Sequence, residues 1–544
     1  MSIGIASAMD AARLARVSRA RRHASPRRTA WGIGIAALLI FVVTGGGRIV
    51  GSDEVTMFEL SRGLLHGRIA VSEGATLRGP DGRFYSKNAA GQAIAALPLT
   101  AIAEGVTRAA GVPGSRAVLA MRFGVSFFNA LIAAILLGVF YTTVRSLGVR
   151  PWPSAAATLM LGFTTPLWVY AKSFMAEPLE ALGLLLALGG AARAGAGEPR
   201  AARRAGLGAF LAISAKLSML PLALACLLPL ARRPRTWGWA GLGVLAALAG
   251  HAAYDLARFG TPFETGYGAQ ASLAAYTTPL LVGLYGLLVS SGKGVLWFAP
   301  ALWLAFAGWR RVWARPERAD PEIPPPAGFA DAARGAAWGG LAAWLVALLI
   351  YARFQHWAGD GSFGPRYLVP LLPLGFVLVA YALQGAGAMR RSLAAMLAVI
   401  GLLVQIGGVA IYFGAQMREA GDYPYTLPIE HPRFMSDSHF NPRYTPIAGH
   451  WRMLIRNAGE HLRGERPSFD PSHAGESRLE IGAEDQARLL HALDFWWLYL
   501  VYAGLPARAV WLVAAALAFA AAAALGRALA LTATEARAEE PLRP

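Results

Sequence analysis

Asp53 and Glu54 are adjacent carboxylates a few residues beyond the first apolar run, and Tyr85 and Lys87 follow just ahead of the next one. All four lie in the stretch Arg48–Gly91. A carboxylate within hydrogen-bonding reach of a hydroxyl can take its proton as the oxygen attacks. A fixed cation or a phenol can steady the charge that grows on a departing phosphate. An acid pair and a lysine at one water–membrane boundary are thus the parts for chemistry on a phosphate-bearing lipid. Asp53 also reads as the N-cap of a helix beginning near Glu54, and from the residues alone both readings stand.

Other polar residues stand at the ends of apolar runs. Lys172 and Glu177 fall in one short loop, Lys216 interrupts an apolar block, Lys293 sits in SSGKG, and Arg366 opens the run Leu368–Leu383. Lysine is scarce in a chain rich in arginine, so each lysine beside an apolar run is a candidate, although boundary lysines and arginines also snorkel to lipid head groups. His356, His431, His439 and His450 are spaced too loosely for a zinc signature. A divalent metal is therefore not indicated. Neither GxxxxGK[ST] nor a GxGxxG after a strand is present, so neither an ATPase nor a Rossmann dinucleotide enzyme is supported.

The elements that must position these residues are membrane helices. Of 544 residues, 55% are apolar and 15% charged, with a mean hydropathy of +0.42; soluble chains carry about 25% charged residues. The apolar residues come in blocks of about twenty, the length that crosses hydrocarbon as helix. The net charge of +19 is concentrated in short arginine-rich loops. That is the positive-inside pattern and points to anionic lipid rather than nucleic acid. Cys226 is the only cysteine, so no intrachain disulfide can form.

The pattern predicts an all-α polytopic membrane protein with about 11–13 membrane segments. Residues 1–29 read as a basic cytoplasmic tail, 30–413 as the transmembrane body, 414–495 as a small extracytoplasmic loop region, 496–530 as an interfacial and a final membrane helix, and 531–544 as a cytoplasmic tail. An uncleaved first span places residues 48–115 on the outer face, with Ile94–Ala110 as an interfacial helix. Leu207–Leu230 has basic flanks on both sides, which predicts two half-helices that turn back at Lys216. No internal repeat is visible.

An acid pair after the first span, an interfacial helix and a many-helix body resemble the GT-C glycosyltransferases, such as the protein O-mannosyltransferases and the aminoarabinose transferases that modify lipid A. FYSKNAAG (Phe84–Gly91), FGTPFETGY (Phe259–Tyr267), SGKGVLWFAP (Ser291–Pro300), FGPRYLVPLLPL (Phe363–Leu374) and FNPRYTPIAGH (Phe440–His450) are similar to later blocks of that family. The resemblance spans roughly residues 30–530. It departs at Asn88-Ala89-Ala90, where many members carry a proline pair.

The resemblance implies an inverting transfer of a sugar from a polyprenyl-phosphate carrier to an acceptor hydroxyl on a glycan, lipid or protein. The active site would lie on the periplasmic or extracellular side of the inner (plasma) membrane. It implies Asp53 as general base, with Glu54 orienting the acceptor or a cation. Lys87, Tyr85 and Arg366 would bind the donor phosphate, and Lys172, Glu177, Lys216, Lys293 and His450 are possible acceptor-side or supporting residues. Two other classes fit the many spans. A transporter or flippase of lipid-linked sugar would place charges at helix centres, and an O-antigen ligase would use arginine and histidine of a late outer loop.

Overall fold

The computed structural model describes residues 25–72, 76–314, 328–359, 361–420, 439–469 and 487–539. Helices dominate. Among the described residues, seven are long and apolar enough to cross a membrane: Pro26–Val43, Arg116–Ser146, Pro234–Phe259, Phe329–Arg353, Arg366–Leu383, Ala388–Ala410 and Ala507–Glu539. The chain is a multi-pass membrane protein. Several other apolar blocks of the sequence are shorter or broken. Trp152–Tyr170 divides into Pro151–Phe163 and Leu167–Tyr170, because Pro166 lacks an amide and disfavours helix at the residue before it.

The stretch between the first two long apolar helices holds the elements nearest the acid pair. Helix Ser52–Leu64 is followed by an antiparallel hairpin of β1 (Thr76–Arg78) and β2 (Phe84–Ser86), with Leu77 opposite Tyr85. This hairpin is the one sheet among the described residues, a small departure from the all-α expectation. Helix Leu97–Ala109 buries Thr100, Ala103 and Thr107 and leaves Ile102 and Val106 more than half exposed. An apolar stripe turned away from the protein is what an interfacial helix offers to lipid.

The chain turns back at Lys216. Helix Ala202–Ala215 stops there, where the backbone is extended (φ −161°, ψ 126°), and Leu220–Leu227 resumes the helix. Small residues let the first half lie tightly on helix Glu177–Gly195. A β-carbon on Gly208 would collide with the Ala187 amide nitrogen, the close approach that small residues permit between membrane helices. The two ends of the hairpin can be placed by their neighbours. Ala201 and Pro229 pack at Gly190 and Gly195, while Ser214 packs at Gly91. Lys216 therefore lies at the end that carries the Lys87 loop.

The last helix runs to Glu539, past the boundary at 530 expected from hydropathy. Polar composition after Leu531 signals an exit from hydrocarbon and leaves helix propensity intact. Glu535, near that end, accepts from Thr29 Oγ1 (2.7 Å), Tyr141 hydroxyl (2.8 Å) and Arg145 Nε (2.7 Å). Three helices are tied together there. In the late region, helix Pro446–Leu462 buries Met453 against Ile411, Leu489, Leu498 and Tyr502.

Candidate active site

The two adjacent acids diverge, as neighbours about 100° apart on a helix must. Glu54 is the third residue after the N-cap Gly51. Its Oε2 accepts the Gly51 amide at 2.9 Å and its Oε1 accepts the Phe174 amide at 2.6 Å. This is the return half of a capping box, extended to staple a second loop. Burial pushes its carboxyl above the ordinary value, against the pull of those amides. Both oxygens accept backbone amides, so Glu54 caps its helix and ties down the Phe174 loop; the sequence had offered it to an acceptor or cation.

Asp53 faces the other way, into a row of alternating charges. Lys87 Nζ stands 3.3 Å from its Oδ1 and Arg366 Nη2 stands 3.5 Å from its Oδ2. Arg366 Nε donates to Glu177 Oε1. Burial raises the Asp53 carboxyl, but Lys87 and then Arg366 outweigh it and hold the group below its usual range. Asn88 donates to the Asp53 carbonyl at 3.4 Å, and its own side-chain oxygen accepts from the Tyr267 hydroxyl at 3.4 Å. Burial first, and Asp53 second, push the Tyr267 phenol up.

The row continues inward. Glu177 and Glu180 share one face of helix Glu177–Gly195, both fully buried. Glu177 Oε2 and Glu180 Oε1 have no partner among the described residues. Lys216 Nζ lies 4.9 Å from the Tyr367 ring centre, and Tyr367 stacks on Tyr351 at 4.7 Å and 11°. Asp53, Lys87, Arg366, Glu177 and Lys216 are thus gathered at one end of the bundle. Glu180, Asn88 and Tyr267 were not singled out from sequence. Glu180 lies three residues after Glu177, the spacing that puts two side chains on one helix face, so its neighbour was the available signal.

The remaining candidates have other partners in the structure. Tyr85 donates its hydroxyl to Asp81 at 2.6 Å and packs edge-on against Phe259. Its phenol closes the hairpin and replaces the expected phosphate contact. Lys172 gives its protons to Asp494 Oδ2 (2.8 Å), the Asp494 carbonyl (2.7 Å) and the Val409 carbonyl (2.6 Å). Arg48 Nε adds to Asp494 Oδ1 at 2.9 Å, as does Tyr499 at 3.0 Å. Burial opposes the Asp494 charge, but Arg48 and Lys172 pull its carboxyl far below the ordinary range. Lys172 is a structural ion-pair member here, and neither Arg48 nor Asp494 was a candidate by sequence.

Lys293 Nζ donates to the Ser362 carbonyl at 2.7 Å and lies 3.2 Å from its hydroxyl. His450 Nδ1 donates to the Pro446 carbonyl at 2.6 Å, and the ring meets Phe363 edge-on at 4.9 Å. Burial pushes His450 down to about 4, against the Pro446 hydrogen bond. Among the described residues, no group of three His, Cys, Asp or Glu side chains could hold a metal ion; His431 lies outside them.

One cleft adjoins the charge row, and a second shares part of its wall. The larger has a cavity volume of about 50 Å³ and is lined by Arg48, Glu54, Tyr170, Met175, Phe363 and Asp494, among others. Met175 accepts from Arg366 Nη2 at 3.4 Å through sulfur, so this cleft abuts the Asp53–Arg366 pair. The smaller has a cavity volume of about 20 Å³, room for a single water, includes Lys293 and His450, and shares Ser362, Phe363 and Phe413 with the first.

Fold and site together define a multi-pass helical membrane protein with a buried row of alternating charges at one end of the bundle. No protein-family model matches the chain, and no curated protein matches its sequence. Among solved structures it is similar to ArnT from Cupriavidus metallidurans in the apo state, with 16% identity and a TM-score of 0.46 over 93% of this chain and 76% of that one. It is also similar to the same protein bound to undecaprenyl phosphate, with 15% identity and a TM-score of 0.41 over 80% and 81%.

Proposed function

We propose that the chain is a membrane glycosyltransferase. It moves a sugar from a polyprenyl-phosphate carrier to an acceptor hydroxyl on the extracytoplasmic face of the plasma membrane. The observation that carries this reading is the Asp53 carboxylate held between Lys87 and Arg366. A lipid phosphate entering the site competes for both cations. Arg366 suits the task because its guanidinium can hold two phosphate oxygens at once. Once the cations turn to phosphate, Asp53 loses the charges that depress its pKa and becomes a stronger base when the donor is present.

In the transfer step, the acceptor oxygen forms a bond to the anomeric carbon and its proton passes to Asp53. The bond from that carbon to the phosphate oxygen breaks, and the electron pair leaves with polyprenyl phosphate beside Lys87 and Arg366. A single displacement inverts the anomeric centre. Glu177 keeps Arg366 oriented throughout. The test is transfer in proteoliposomes from a panel of polyprenyl-phosphate sugars to envelope glycolipids, followed by mass spectrometry. Asp53→Asn is expected to abolish transfer while the protein remains folded; an Asp53→Asn protein that still transfers overturns the reading.

A further inference from the structure

Arg122 is a guanidinium set into the protein without a hydrogen-bond acceptor. It lies on helix Gly114–Val125, is only 7% exposed, and its Nε and Nη2 have no partner among the described residues. Its Cζ sits 5.8 Å from the ring centre of Phe58, a fully buried residue of helix Ser52–Leu64. Arg62 follows Phe58 by four residues and so shares that helix face; its Nε is likewise buried without a partner among the described residues. Glu59 and Arg62 are the charges that act on Arg122. The Glu59 carboxylate accepts the Ser72 amide at 2.8 Å and the Ser72 hydroxyl at 3.2 Å, and it leaves those three arginine nitrogens unmet.

Buried donors without an acceptor are unfavourable, and two cations beside one carboxylate leave one positive charge over. A phosphodiester supplies the missing acceptors and the missing charge, and a guanidinium holds two of its oxygens at once. The surroundings select a phosphate carried by lipid. Gly124, two residues and about 3 Å of rise beyond Arg122, packs on Ala103, whose β-carbon would stand 3.0 Å from one added to that glycine. Ala103 belongs to helix Leu97–Ala109, on which Ile102 and Val106 turn outward. The arginine pair thus lies at the level where that helix meets lipid, which is head-group depth. We propose that Arg62 and Arg122 bind the phosphodiester of an anionic membrane lipid at a site separate from the Asp53 row. Asp53 stands nine residues before Arg62 on the same helix, about 14 Å away along its axis, so the bound lipid braces the helix that carries Asp53. Lipid binding itself does not depend on the glycosyltransferase reading.

The experiment titrates the full-length protein in neutral detergent and counts retained ligand by native mass spectrometry. The probes are dioleoylphosphatidylglycerol, dioleoylphosphatidylcholine, the tail-free head group glycerophosphoglycerol, and inorganic phosphate. Saturable retention of phosphatidylglycerol over phosphatidylcholine is expected, with both tail-free probes far weaker. Arg62→Gln and Arg122→Gln are each expected to weaken phosphatidylglycerol binding about tenfold, whereas Arg116→Gln, at an exposed arginine of the same helix, leaves it unchanged. If Arg122→Gln does not fold, the half-buried Arg62 decides through Arg62→Gln. Wild-type affinity in Arg62→Gln, or equal affinity for phosphatidylcholine, overturns the proposal. Equal affinity for glycerophosphoglycerol or inorganic phosphate overturns it in favour of a soluble phosphate. Lys87→Gln separates this site from the donor site: phosphatidylglycerol binding there should equal wild type even where transfer is lost, and its loss in that variant would place the lipid beside Asp53 and overturn the proposal.

Discussion

Arg366 and Glu177 meet through an Nε–carboxylate hydrogen bond, and the same guanidinium reaches Asp53 through Nη2 at 3.5 Å. One planar group thereby sets the relative position of two acids near the starts of different helices. Lysine carries the same charge but cannot fork. Arg366→Lys is expected to lower kcat/KM for the lipid-linked donor about 100-fold, on the scale that misplaced reacting groups cost. Steady-state kinetics on the folded variant checks it.

Lys87 is the largest of the charges that depress the Asp53 carboxyl. Removing it in Lys87→Gln raises that pKa, so the acid limb of the kcat/KM profile, which reports the free enzyme, moves to higher pH. An unmoved acid limb would show that Asp53 is not the titrating base. A second consequence concerns stability. A depressed carboxylate stabilises the fold above its unfolded pKa of about 3.9 and loses that contribution as pH falls through the lower folded value. The thermal-stability gap between wild type and Asp53→Asn is therefore expected to close below about pH 4.

Glu54 holds the Gly51 and Phe174 amides. Glu54→Ala strands both and is expected to cost about 1–3 kcal/mol of stability. A thermal melt measures the loss, and donor KM in the surviving folded protein should stay within twofold of wild type (roughly 0.4 kcal/mol). A large KM change at unaltered stability would return Glu54 to the binding site.

Asp494 pairs with both Arg48 and Lys172 and offsets one of their two charges. Asp494→Asn leaves two cations sharing one uncharged partner, and breaking such a buried pair costs about 3–5 kcal/mol. The expected readout is early unfolding in a thermal scan in detergent, partly rescued in the double variant Asp494→Asn/Lys172→Met.

How much of this was legible depends on which physical signal each residue left. Lys87, Lys172, Lys216 and Lys293 stood out because lysine is rare here and each borders an apolar run. Rarity could not say that Lys172 is consumed by Asp494 while Lys87 faces Asp53, since partners distant in sequence leave no local trace. The turn at Lys216 was readable from basic flanks on both sides of a block too short to cross twice. The continuation of the last helix to Glu539 was not, because hydropathy reports the solvent and not the backbone. Glu54 and Asp53 looked alike as letters, and only the placement of the Gly51 and Phe174 amides distinguishes the capping acid from the one among cations.

The hairpin around Lys216 bears on the bilayer itself. Its first half has 14 residues and rises about 21 Å at 1.5 Å per residue, well short of the ~30 Å thickness of hydrocarbon. A helix of that length matches a thinner apolar layer than a full span does, so the bilayer beside this hairpin is expected to thin toward the depth of the charged row.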